Sequence, residues 1–112
     1  MVKKVFLKDL KNPLNELKLD LKSRGFDVKL IGGLKERGYT THDIDLDISM
    51  PHTSLPDEKI LSILSDFGYR VWEEFGLELD INFWHKRRKL LYKMDKDGVY
   101  GYREDGDTLL PL

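Results

Sequence analysis

The sequence predicts a single α+β domain over residues 1–112: a mixed β-sheet of five or six strands, with helices packed mainly on one face. Three observations carry that expectation. Segments 43–49 and 77–84 alternate between apolar and polar residues, the period of a half-buried strand. Segments 10–21 and 53–68 repeat apolar residues at helical spacing, between capping and breaking residues. No internal repeat, low-complexity tract or linker divides the chain.

The elements follow in order. A first helix is expected after Asn12–Pro13, where Asn suits the cap and Pro the first helical position. Leu10, Leu14, Leu17 and Leu21 share its apolar face, and Gly25 ends it. "DVKLI" (27–31) reads as a strand entering Gly32–Gly33. "DIDLDIS" (43–49) is a second strand, with Ile44, Leu46 and Ile48 on one face and Asp43, Asp45 and Asp47 on the other. For the helix over 53–68, Ser54 is the expected cap, Pro56, Asp57 and Glu58 suit the first turn, and Gly68 suits the exit. Its buried stripe is Ile60, Leu61, Ile63, Leu64 and Phe67. "YRVWEEF" (69–75) and "LELDINFW" (77–84) read as two strands joined at Gly76. "KLLYKM" (89–94), the turn "DKDG" (95–98) and "VYGYRE" (99–104) form a terminal hairpin.

The composition excludes several classes. With 40% hydrophobic residues and a net charge of −1, the chain is neither disordered nor a generally basic nucleic-acid coat protein, although a local basic groove stays open. The absence of cysteine excludes disulfides, zinc–thiolate sites and a cysteine nucleophile. "MVKKVFLKDLKNP" lacks the apolar run of a signal peptide, and no window reaches the length of a membrane span. A cytoplasmic protein with no membrane partner is expected. A chain without alanine or glutamine and dense in charged residues leans toward a thermophilic source.

The chemistry concentrates in two places. Asp43, Asp45 and Asp47 lie on one strand face, and Glu78 and Asp80 on another; side by side, such carboxylates repel each other. A divalent cation removes that repulsion, and carboxylate oxygens suit Mg²⁺ or Mn²⁺. Upstream, Gly32–Gly33 lets the backbone approach a ligand closely and point N–H groups at anionic oxygens. A phosphate cradle before a metal-binding acid pair points to a nucleoside triphosphate.

Ile31–Gly32–Gly33, nine residues, then Asp43–Ile44–Asp45 resembles the signature of the polymerase-beta-type nucleotidyltransferase superfamily. The resemblance covers roughly residues 27 to 84. It is nearest the small stand-alone members and the nucleotidyltransferase-like subunits of toxin–antitoxin systems, which often carry a Thr two positions before the first Asp, as Thr41 is here. The resemblance implies a nucleotidyltransferase-like fold and transfer of an NMP group from an NTP, such as ATP, to a hydroxyl, with release of pyrophosphate. It implies that Asp43 and Asp45 hold Mg²⁺ or Mn²⁺, that Asp80 is the third ligand or the base, and that Gly32 and Gly33 contact the triphosphate. Glu78 is the alternative third carboxylate.

This chain departs from the family pattern in places. Many active relatives have Ser where Gly33 stands, and glycine cannot make that hydroxyl contact. An Arg often follows the glycines, and the short stretch "LKERGYTTH" leaves open whether Arg37 fills that place. The helical domain that selects substrates in larger relatives has little room in 112 residues. Acceptor recognition, whether of RNA, protein or a small molecule, is therefore expected to need a partner protein, a homo-oligomer or a very small substrate. The alternative is an inactive nucleotidyltransferase-fold binding module such as an antitoxin subunit.

Other features carry bland readings. "HKRRK" (85–89) is a solvated basic loop before it is a guide for RNA or phosphate. His42 flanks the acid pair without a defined role, and His52 and His85 lack metal-site spacing. Trp72, Trp84, Tyr92, Tyr100 and Tyr102 are expected in core and hairpin packing. The apolar "LLPL" tail (109–112) is expected to dock on the body or at a subunit contact.

Overall fold

The computed structural model describes residues 3–50, 56–86, 89–102 and 109–111. Strand β1 (Val5–Phe6) enters helix α1 (Leu7–Ser23) directly. Strand β2 (Asp27–Ile31), short helix α2 (Gly32–Arg37), strand β3 (Tyr39–Thr40) and strand β4 (Asp43–Met50) follow. Helix α3 (Glu58–Phe75) then leads to strands β5 (Glu78–His85), β6 (Lys89–Asp95), β7 (Gly98–Tyr102) and β8 (Leu109–Pro111). Six strands form one mixed sheet in the order β2-β4-β5-β6-β7-β8, while β1 and β3 pair as a separate ribbon. The fold is the expected α+β class.

Only β4 and β5 run parallel; the other paired strands are antiparallel. Parallel neighbours need a long crossover, and α3 supplies it. Strand alternation sends Ile44, Leu46 and Ile48 of β4 and Leu79, Ile81 and Phe83 of β5 to the face that α1 and α3 cover. Each such side chain contributes about 1.5–3 kcal/mol of burial, so the helix-covered face fixes strand register. The acids necessarily go to the opposite, open face.

Three expectations about the helices need correction. α1 begins at Leu7, and Pro13 lies inside it, buried. Proline costs the hydrogen bond to the Asp9 carbonyl, but Leu10 and Leu14 on either side belong to one buried stripe and keep the turn helical. Residues 69–75 are not a strand; they are the last turns of α3. Val71 extends the stripe of Ile60, Leu64 and Phe67, while Tyr69 and Trp72 stay exposed. Gly68 does not end the helix either; it lies inside α3 and faces β5, where a Cβ would stand at ordinary contact distance, 3.5 Å, from Leu79 Cδ2.

The helix stops instead at Gly76, whose φ of 68° favours glycine. Its N–H donates to the Trp72 carbonyl, and the Leu77 N–H reaches back to Val71. At the other end Asp57 is the cap, accepting from the Ile60 N–H at 2.9 Å, whereas Ser54 lies outside the described residues.

The terminal hairpin forms as β6 and β7, and the tail adds β8 along β7. His52, Arg87, Arg88 and Leu112 lie outside the described residues. Among the described residues, no helix is long and apolar enough to cross a membrane.

Candidate metal centre

The parallel register of β4 and β5 sets Asp43 opposite Glu78, Asp45 opposite Asp80 and Asp47 opposite Asn82, all on the open face. Asp43, Asp45 and Asp80 converge: one carboxylate oxygen of each lies within 4.8 Å of the others, and all three side chains are half-buried. Glu78 is not part of the group; it accepts from Lys96 Nζ at 3.4 Å. Asp47 likewise turns aside, accepting from Asn82 Nδ2 at 3.4 Å. Of the two candidates for the third acid, the geometry brings Asp80 to the pair.

Backbone contacts fix where the acid strand begins. The buried Thr40 hydroxyl donates to the Asp43 carbonyl at 2.7 Å and accepts from its N–H at 3.4 Å. The Glu78 N–H donates to the His42 carbonyl at 2.9 Å, tying the start of β5 to the same turn. Sequence reasoning singled out Thr41, but Thr40 is the residue that anchors Asp43. Two adjacent threonines give no local signal to choose between them.

No cation is ion-paired with the three carboxylates among the described residues. Their proximity raises proton affinity instead. Burial first, then a hydrogen bond that protonated Asp80 donates to the Asp43 carboxylate and the charges of Asp43, Asp45 and Asp95, raise the Asp80 pKa to about 6. Burial, followed by the charges of Asp43 and Asp47, also raises that of Asp45. Such a cluster binds a proton or a cation to compensate its charge.

The glycine turn abuts these acids. Gly32 has φ of 75°, and a Cβ on it would stand 2.5 Å from Asp45 Oδ2, so only glycine leaves this space beside the carboxylate. Gly33 faces Arg37 instead: the guanidinium lies over it where a Cβ would be, with Cζ 5.2 Å from the Tyr39 ring centre. The place of Arg37, which the sequence left open, is thus over the glycines.

On the other side, Asp45 and Asp80 line an open cavity of about 300 Å³ together with Lys93 and Asp95 of β6. Sequence reasoning did not single out these two residues, although the alternation of "KLLYKMD" sets them on one face.

The donor set is all carboxylate oxygen, which suits Mg²⁺ or Mn²⁺, and the cavity lined by Asp45 and Asp80 leaves room for a ligand beside them. The residues present therefore fit a hard divalent cation with Asp43, Asp45 and Asp80 as holders. Compared with family models, curated proteins and solved structures, the chain has no significant match in any of the three.

Proposed function

We propose that this chain is a minimal metal-dependent nucleotidyltransferase that moves an NMP group from an NTP to a hydroxyl acceptor and releases pyrophosphate. The observation that carries the reading is the convergence of Asp43, Asp45 and Asp80 beside a glycine turn, with the Gly32 backbone packed directly against the Asp45 carboxylate. Mg²⁺ or Mn²⁺ held there would neutralise charge on the phosphates and favour the ionised acceptor oxygen.

The side chains have distinct tasks. Gly32 turns the backbone close to Asp45, and Arg37, over Gly33, supplies the positive charge that meets a triphosphate bound at this turn. The acceptor oxygen attacks the α-phosphorus; a new O–P bond forms as the bond to the bridging oxygen breaks. Pyrophosphate leaves with that electron pair, and the hydroxyl proton passes to Asp80. A carboxylate with pKa raised to about 6 is a stronger base than an ordinary one, which suits that transfer. The protein's part is mostly positioning.

One observation favours a second reading, a nucleotidyltransferase-fold binding module such as an antitoxin subunit. Gly33 has no hydroxyl for a phosphate, and the Arg37 guanidinium fills the space above it. Calorimetric titration with a non-hydrolysable ATP or CTP analogue separates the two. The enzyme reading expects binding in Mg²⁺, none in EDTA, and none to Asp43→Asn/Asp45→Asn. Absence of binding by the wild type in any metal overturns it and leaves the binding module.

A further inference from the structure

Helix α1 sorts its charges by face. Lys8, Lys11, Lys18 and Lys22, with Asn15 between them, recur at steps of three and four residues and so share one side. Acids sit elsewhere on the helix: Glu16 pairs with Arg70 of α3, and Asp20 with Arg24.

The lysine side overlooks β2, at the edge of the sheet. There Lys8, Lys11 and Lys18 line a groove of about 400 Å³ with Leu30, and Lys18 and Lys22 line a second groove of about 410 Å³ with Leu19, Val28 and one acid, Asp27. The two share Asn15 and Lys18, so they adjoin. None of the four lysines is ion-paired among the described residues.

At its N-terminal end this stripe meets two aromatic rings. Lys8 Nζ stands 5.7 Å from the ring of Phe6, which is 44% exposed and lies 6.1 Å from the ring of Tyr39. Lys4 Nζ is 4.6 Å from the Tyr39 ring, and Arg37 approaches the same ring from over Gly33. Cations and rings therefore continue from Lys22 to the glycine turn beside Asp45. The helical part alone extends about 21 Å at 1.5 Å per residue.

The chemistry selects the occupant. The net charge of −1 makes this basicity local, so it marks one surface. Cations interleaved with an exposed and a half-buried ring fit single-stranded nucleic acid, whose phosphates follow the charges and whose bases stack on aromatic faces. An anionic membrane is a poorer fit, because Leu10, Leu14, Leu17 and Leu21 of α1 are committed to the core, and exposed Leu19 by itself is too little apolar surface to insert. An acidic protein segment would use the lysines and leave the rings unexplained.

We propose that the lysine face of α1 and the Phe6–Tyr39 pair bind a single strand of nucleic acid. On the nucleotidyltransferase reading above, on which this part rests, that strand is the acceptor. Its terminal hydroxyl attacks the α-phosphorus, the bond to pyrophosphate breaks, and the proton goes to Asp80.

The test is fluorescence anisotropy with a labelled single-stranded RNA of about 12 nucleotides, within the usual span of such sites. It is run in EDTA over a range of salt. The wild type is expected to bind with a log–log salt slope of about −3, from four phosphate contacts at about −0.7 each. Lys11→Gln/Lys18→Gln should reduce the slope to about −1.4. Phe6→Ala should weaken binding about tenfold through loss of stacking. An unchanged slope in the lysine variant overturns the proposal, as does binding to phosphatidylserine-containing vesicles without binding to RNA.

Titrating the same preparations with the NTP analogue in Mg²⁺ keeps the two failures apart. Nucleotide binding without RNA binding overturns this inference alone. RNA binding without nucleotide binding overturns the acceptor role together with the enzyme reading, and supports the track as a nucleic-acid surface.

Discussion

Asp80 sits where its strand partner is Asp45 and where the Asp43 side chain shares a hydrogen bond with it, so ionising it in the folded protein is costly. Its pKa is raised from the usual 3.8 to about 6, which means that the folded state holds this proton more tightly than the unfolded chain. The sign follows. As pH rises from about 4 to about 6 the folded state loses relative stability at this position, and above 6 the penalty is complete. Replacing Asp80 by the uncharged Asn removes the penalty. In EDTA, Asp80→Asn is therefore expected to melt higher than the wild type at pH 7.5, with the advantage shrinking toward pH 4. Thermal melts of both proteins across that range check it, and a pH-independent difference would show that Asp80 is not the perturbed acid. Gaining stability by removing an acid fits a residue kept for its chemistry rather than for the fold.

Among the elements, α3 matters most to the site because it is the crossover that makes β4 and β5 parallel and so sets Asp80 against Asp45. Its N-terminus depends on Asp57, whose carboxylate accepts from the Ile60 N–H. Asp57→Ala is expected to lower unfolding stability by about 1 kcal/mol, read as a lower urea midpoint at unchanged m-value. The alternating strands were legible in the sequence because a period of two on a half-buried sheet is unambiguous, as Ile44, Leu46 and Ile48 show. The end of α3 was not. Gly68 and the aromatic, β-branched "YRVW" carry local signals for a break and a strand, and tertiary contacts overrule them: Val71 completes a buried stripe and Gly68 sits against Leu79. Pro13 misled for the same reason, its propensity outweighed by the leucines flanking it. For the site, alternation and the glycine pair singled out Asp43, Asp45, Gly32 and Gly33, while Asp80 was joined to them through the family resemblance, with Glu78 as the alternative. The parts played by Thr40, Arg37, Lys93 and Asp95 depend on three-dimensional neighbours, which local spacing does not encode.

At the scale of the molecule, charge gathers in two places: acids on the open sheet face, and lysines along α1 that have no ion pair among the described residues. The first makes the unliganded fold less stable than its core permits, since three carboxylates within 4.8 Å have no ion-paired partner among the described residues. An ion that binds only the folded state returns that stability as RT ln(1 + [L]/Kd), about 2.7 kcal/mol at a hundredfold excess over Kd. For a domain of this size that is a rise in Tm of about 10 °C. Mg²⁺ or Mn²⁺ is thus expected to raise Tm at pH 7.5 in proportion to the logarithm of its concentration. At pH 5, below the Asp80 pKa of about 6, the proton competes for the same carboxylates and the rise should be much smaller. Scanning calorimetry with metal varied at both pH values checks the pair of expectations. A rise of equal size at both would place the ion away from Asp80, because its affinity would then be indifferent to protonation of that carboxylate.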